Sequence, residues 1–214
     1  MTRRIIVFEL LLIAASIAAT AILYPHLSAR VPTHWNLHGE ANGFSPRSAL
    51  WIFGPGALVL LLAFTAALPW LSPRRFEVDT FRSTYSLIML SMFLLFAYLY
   101  GLMLWAGSGL RIDMSHALVG AICIFFAVIG NVLSKVRRNF YIGIRTPWTL
   151  ANERVWYATH RFAAKCFVLA GLLGLALTIA GVPLGPLVTI LVGALAPVVY
   201  SLVYYKQLER RGQL

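Results

Sequence analysis

Six apolar runs, roughly 5–23, 49–71, 83–106, 115–134, 160–181 and 184–205, constrain this chain more than any other feature. Each approaches the ~20 residues that a helix needs to cross a hydrocarbon layer about 30 Å thick. Lipid offers the backbone no hydrogen-bond partners, so a run that spans it must be helical. The expected fold is all-α, a polytopic six-transmembrane-helix bundle. Two long connections interrupt it, about 24–48 and 135–159. Composition agrees: 12% of the residues are charged, against about 25% in a soluble domain.

Lys and Arg divide by side. With the N-terminus inside, the cytoplasmic segments hold Arg3, Arg4, Arg74, Arg75, Arg82, Lys135, Arg137, Arg138, Arg145, Arg154, Arg161, Lys165, Lys206, Arg210 and Arg211. Arg30, Arg47 and Arg111 fall outside. Fifteen against three is the positive-inside asymmetry, and an even number of spans places both termini in the cytoplasm. Trp51, Trp70 and Trp105 stand at span ends, as an interfacial aromatic belt requires. The net charge of +11 sits at span ends, where it meets anionic lipid, and does not call for direct nucleic-acid binding.

The remaining span residues carry simpler expectations. Cys123 and Cys166 lie in apolar runs and read as small buried hydrophobes. Ala14, Ala15, Ala18 and Ala19 form a close-packing face, as do Gly171 and Gly174, and Pro197 kinks the last span. Glu9 is the carboxylate well inside a span; it lies about a turn from the inner face, where it can snorkel or pair with an Arg. Met1 to Arg4 ahead of the first run also fits a signal peptide, but the run is long and Glu9 is awkward there.

In the outer loop, Pro25, Pro32 and Pro46 forbid a continuous helix. Thr33 to Asn36 reads as extended, and Asn42-Gly43 is a tight-turn signal. The expectation is a small folded cap, a hairpin in form, offering His34, Trp35, Asn36, Gly39, Asn42 and Gly43 to an external ligand. His26, His34, His38 and Glu40 are metal-ligand types. Their spacing would converge only on a helix, so neither a metal nor another cofactor is expected.

The inner loop is the densest polar and aromatic block of the chain. Phe140 to Ile144 is too short to span and too apolar for free solvation, so it lies on the interface or packs under the bundle. Thr149 or Asn152 caps the helix that follows, with Glu153 in its first turn. Asn152, Trp156 and His160 then share a face beside a stripe of Arg161 and Lys165. That helix either anchors at the headgroups or forms a docking surface for a cytosolic protein. The docking candidates are Asn139, Gly143, Arg145, Thr146, Pro147, Trp148, Asn152, Glu153, Trp156, His160 and Arg161. Glu153 and His160 are seven residues apart, and no nucleophile elbow, phosphate-cradling Gly loop or His-Glu-x-x-His motif occurs. The chain does not read as an enzyme.

Two blocks resemble the SdpI-like family, membrane immunity proteins against a sporulation-delaying toxin. The first is Val31 to Asn36 with Gly39, Asn42, Gly43, Phe44, Pro46 and Arg47; it is similar to the extracytoplasmic module of these proteins. The second runs from Gly130 and Asn131 through Asn139–Leu150 to Trp156, Thr159, His160 and Arg161, and is similar to the hallmark of the family's C-terminal half. The resemblance implies a multi-pass protein of the bacterial cytoplasmic membrane with two parts. These are a two-helix module, 1–82, carrying outer loop 24–48, and a four-helix region, 83–214, carrying inner loop 135–159. It further implies recognition of an extracytoplasmic peptide toxin and docking of a cytosolic transcriptional repressor. A rival reading is a small-substrate transporter. The long loops follow spans one and four on opposite sides, so two three-helix halves match with inverted polarity. Outer-loop metal binding is the other alternative.

Overall fold

The computed structural model describes residues 3–36, 38–73, 78–110 and 112–214. Arg74, Arg75 and Arg111, three of the charges sorted above, lie outside the described residues, as do Met1 and Thr2. Six helices are long and apolar enough to cross a membrane: α1 (Arg3–Leu23), α2 (Ala49–Leu71), α3 (Arg82–Gly107), α4 (Met114–Leu133), α6 (Glu153–Ile179) and α7 (Gly185–Arg210). Between α1 and α2 lies an antiparallel hairpin, β1 (Arg30–Trp35) and β2 (Ala41–Pro46). A five-residue helix, α5 (Pro147–Ala151), precedes α6. The protein is therefore an all-α multi-pass membrane protein with a small hairpin cap, and its outward-facing side chains, such as Leu60, Leu169 and Val199, form the lipid contact.

Two helix boundaries differ from the expected spans. The fifth begins at Glu153 rather than near residue 160, because the Asn152 side-chain oxygen accepts the N–H groups of Arg154 and Val155 and starts the helix there. At 27 residues, α6 is about 40 Å long, so its first turns stand clear of a 30 Å hydrocarbon layer. The last helix likewise continues to Arg210.

Helices α4, α6 and α7 make the most extensive helix contacts in the chain. Gly171 of α6 explains part of this: a Cβ there would stand 2.5 Å from the Cys123 carbonyl oxygen and 2.6 Å from the Ala127 nitrogen of α4. Only a hydrogen atom fits between those backbones. The alanines of α1 behave differently. Ala14, Ala15 and Ala18 are exposed, and the buried stripe is Glu9, Ile13, Ser16 and Thr20. Of the polar residues in this stripe, Thr20 meets the Tyr100 hydroxyl of α3, and Ser16 donates to the Ile13 carbonyl of its own helix. A π turn over Ile52–Gly56 opens α2 around Pro55, which has no N–H to give. Trp51, Trp70 and Trp105 are exposed near helix ends.

The interior has three centres. Leu27, Val31, Leu50, Tyr100 and Leu104 hold the hairpin end. Ile13, Leu58 and Phe93 fill the middle of the first three helices. At the opposite, basic end, Leu68, Phe81, Tyr85, Val132, Val136 and Trp156 join α2 and α3 to α4 and α6.

Candidate functional site

The hairpin is mounted rigidly. Val31, on its inward face, is fully buried against the hairpin-end core. Arg47 donates to the carbonyls of Tyr24 (3.1 Å) and Leu27 (3.2 Å) and lies over the Tyr24 ring, so its charge is spent on holding the hairpin base. The strands pair Arg30 with Pro46 and Trp35 with Ala41, with register shifts on either side of His34.

At the tip, Asn36 organises the turn. Its Oδ1 accepts the N–H groups of His38 (2.9 Å) and Glu40 (3.0 Å), and its amide donates to Glu40 Oε2 (2.9 Å). Gly39 has φ +78°, a backbone that side chains disfavour, and packs against Ser115 at the start of α4. His34 Nδ1 stands 2.6 Å from Asn42 Oδ1. Gly43 faces His34 so closely that a Cβ would lie 2.7 Å from the His34 Cβ. Of the six expected ligand residues, Asn36, Gly39 and Gly43 thus shape the cap, while His34 and Asn42 are exposed and Trp35 is half-buried.

Sequence reasoning left out two neighbours. Phe44 projects from β2 and is 48% exposed; its alternation with buried-face residues was the available signal. Asp113 caps α4, accepting the His116 N–H at 3.0 Å, with the His116 ring 2.7 Å from its other oxygen. Those contacts hold the Asp113 carboxyl below the usual carboxylate range. Asp113 and His116 line a 180 Å³ cleft with His38, Pro183 and Pro186, between the hairpin tip and the α6–α7 turn. The metal set does not assemble: among the described residues no three His, Cys, Asp or Glu side chains come together, and Glu40 is taken by Asn36.

The basic-end loop is folded on itself. Asn139 is fully buried, with Oδ1 accepting the N–H groups of Tyr141 and Ile142 (both 2.7 Å) and its amide donating to the Arg137 and Ile142 carbonyls. Gly143 (φ +109°) passes so near His160 that a Cβ would overlap the ring nitrogen Nε2. Nε2 accepts the Ile144 N–H at 3.1 Å, so Nδ1 carries the proton and donates to the Trp156 carbonyl at 2.8 Å. The Trp156 ring stacks on His160 at 4.0 Å, and its indole donates to the Val136 carbonyl at 2.8 Å.

The rest of the loop is bound outward to helices. Thr146 caps α5 in a reciprocal capping box with Thr149, and Pro147 takes its first turn. Trp148 donates from its indole to Ser201 of α7 at 2.5 Å, and the Tyr141 hydroxyl donates to the Leu71 carbonyl of α2 at 2.9 Å. This corrects the surface expectation for Asn139, Trp156 and His160: they are buried, with their polar side-chain groups bonded within the chain. Arg145, Pro147, Glu153 and Arg161 do stand exposed, while Gly143, Thr146, Trp148 and Asn152 serve the loop's own geometry. With both His160 nitrogens committed and Glu153 exposed, the two form no acid–base pair.

The two long loops also differ in architecture, a hairpin against a helical clamp, so the inverted polarity of the halves is not accompanied by matching loop structure.

Comparison with known proteins gives three results. Residues 135–205 match the SdpI/YfhL protein family, and residues 11–60 match a domain of unknown function (DUF1648). Over 206 residues, 95% of this chain and 97% of the other, the sequence is 28% identical to the immunity protein SdpI of Bacillus subtilis (strain 168). No solved structure matches.

Proposed function

Because this chain belongs to the SdpI-like family of multi-pass membrane proteins, we propose that it protects a bacterial cell against a peptide toxin met at the hairpin face. In this reading the hairpin is extracytoplasmic and the basic loop and both termini are cytoplasmic. The likeness to an immunity protein runs almost end to end and includes the hairpin. The observation that carries the assignment of the face is the mounting of that hairpin. Arg47 and Val31 hold its base, Asn36, Gly39 and Gly43 fix its shape, and His34, Asn42, Phe44 and part of Trp35 are left for contact. Exposed aromatic and polar groups on a rigid mount favour binding, because little ordering is required when the partner arrives.

The test is protection. The chain is expressed in Bacillus subtilis lacking its own SdpI and challenged with the sporulation-delaying peptide. Wild type is expected to restore growth, and the double variant His34→Ala, Phe44→Ala to lose it at equal membrane abundance. Failure of wild type to protect sinks the immunity reading; full protection by the double variant sinks the hairpin assignment.

A second reading is favoured by one observation: Arg145 and Pro147 at the basic-end loop and Glu153 and Arg161 on α6 are exposed, beside buried Asn139, Trp156 and His160. That surface suits docking of a cytosolic regulator. Site-specific crosslinking from Arg161 in membranes tests it, and recovery of lipid adducts alone would count against it.

A further inference from the structure

Glu9 is a buried carboxylate that the fold leaves unexplained. It belongs to the buried stripe of α1 and is 1% exposed, so it does not snorkel. Among the described residues, no donor reaches its Oε2. The groups around it are committed elsewhere. From α3, Tyr85 lies within electrostatic reach of the carboxyl, but its hydroxyl donates to the Thr65 carbonyl at 2.5 Å. From α2, the Thr65 hydroxyl donates to the Leu61 carbonyl at 2.7 Å. Arg3 and Arg4 precede Glu9 on α1 and are exposed. Arg82 has partners of its own.

An ionised carboxylate withdrawn from water without a partner costs several kcal/mol. A neutral carboxylic acid costs only what an ordinary buried polar group does. A hard metal cation would ask for six or more oxygen ligands, and among the described residues no three His, Cys, Asp or Glu side chains come together. A 390 Å³ cleft lined by Ile6, Leu62, Thr65, Val78, Arg82 and Tyr85 opens between the first three helices, one turn of α1 from Glu9.

We propose that Glu9 is a proton-binding site inside the first three helices, loaded and emptied through this cleft. With the proton bound, α1 packs on α3 as described. Without it, the charge is hydrated only if the start of α1 shifts toward the cleft. Proton occupancy and the position of α1 are thereby linked.

An apolar carbodiimide tests this on the intact protein. The chain is placed in vesicles of phosphatidylethanolamine and phosphatidylglycerol and treated with dicyclohexylcarbodiimide. The acid O–H adds across one C=N bond, its oxygen to the central carbon and its proton to nitrogen. An O-to-N acyl shift then fixes the adduct, and nothing leaves. Peptide mass spectrometry is expected to place the adduct on Glu9 and not on the exposed Glu40, Glu153 or Glu209. Glu9→Gln abolishes it, and the wild-type rate falls about tenfold per pH unit once most sites are empty. An unmodified Glu9, or a rate indifferent to pH, overturns the proposal. Protection by sodium at fixed pH also overturns it, since the site would then hold a metal cation.

Discussion

Replacing Gly143 with Ala probes the basic-end loop most sharply. Gly143 has φ +109°, where a residue with a side chain stores about 1–3 kcal/mol of backbone strain. The new methyl group would also occupy the space of His160 Nε2. Pushing the ring aside breaks its bond from the Ile144 N–H, and a buried donor without a partner costs about 1–3 kcal/mol. Together Gly143→Ala should cost about 2–6 kcal/mol, a large share of the ~5–15 kcal/mol that usually holds a protein folded. Chemical unfolding in detergent micelles measures the loss. The steric half of the argument has its own check, because His160→Ala clears the space the methyl group needs. The double variant should be less destabilised than the sum of the singles by at least about 1 kcal/mol. Strict additivity would refute the contact, and a Gly143→Ala protein within about 0.5 kcal/mol of wild type would refute the whole account.

Two further outcomes follow from single contacts. Trp148→Phe keeps the ring but removes the indole donor to Ser201, and should cost about 0.5–1.5 kcal/mol and raise hydrogen exchange around residues 198–204; unchanged exchange there would show the bond is idle. Asp113 has its pKa lowered on folding, so its contribution is present above the unfolded value of about 3.9 and is lost as pH falls through the lower folded value. The first turn of α4 should therefore loosen only below about pH 4, read as faster exchange of the His116 amide. Asp113→Asn should lack that pH dependence, and loosening already at pH 6 would refute the account.

The spans were legible because an apolar run is a composition signal that survives without knowledge of any neighbour. The start of α6 was missed by the apolar run, because residues 153–159 mix charged and apolar types, but was marked by the Asn152 cap with Glu153 behind it. Small residues misled on α1 and informed on α6 for one reason. Gly171 has a backbone against it, whereas Ala14 and Ala18 have no helix to meet. The inward turn of Thr20 depends on Tyr100, eighty residues away, which no local pattern encodes. At the basic end the exposure expected of Asn139, Trp156 and His160 does not hold. Asn139, Trp156 and His160 have the composition of a contact surface, yet they satisfy the backbone of an irregular loop that would otherwise bury unpaired groups. Sequence alone does not separate polarity that serves the loop from polarity offered to a partner.

The bond from Trp148 to Ser201 has a bearing on biogenesis. Synthesis runs from the N-terminus, so the clamp around residue 148 emerges from the ribosome well before its acceptor. Until the final helix threads into the bilayer, that indole waits without its mate, and a chain cut short of residue 201 never closes the latch. Insertion of α7 is thus registered at a spot fifty-three positions upstream.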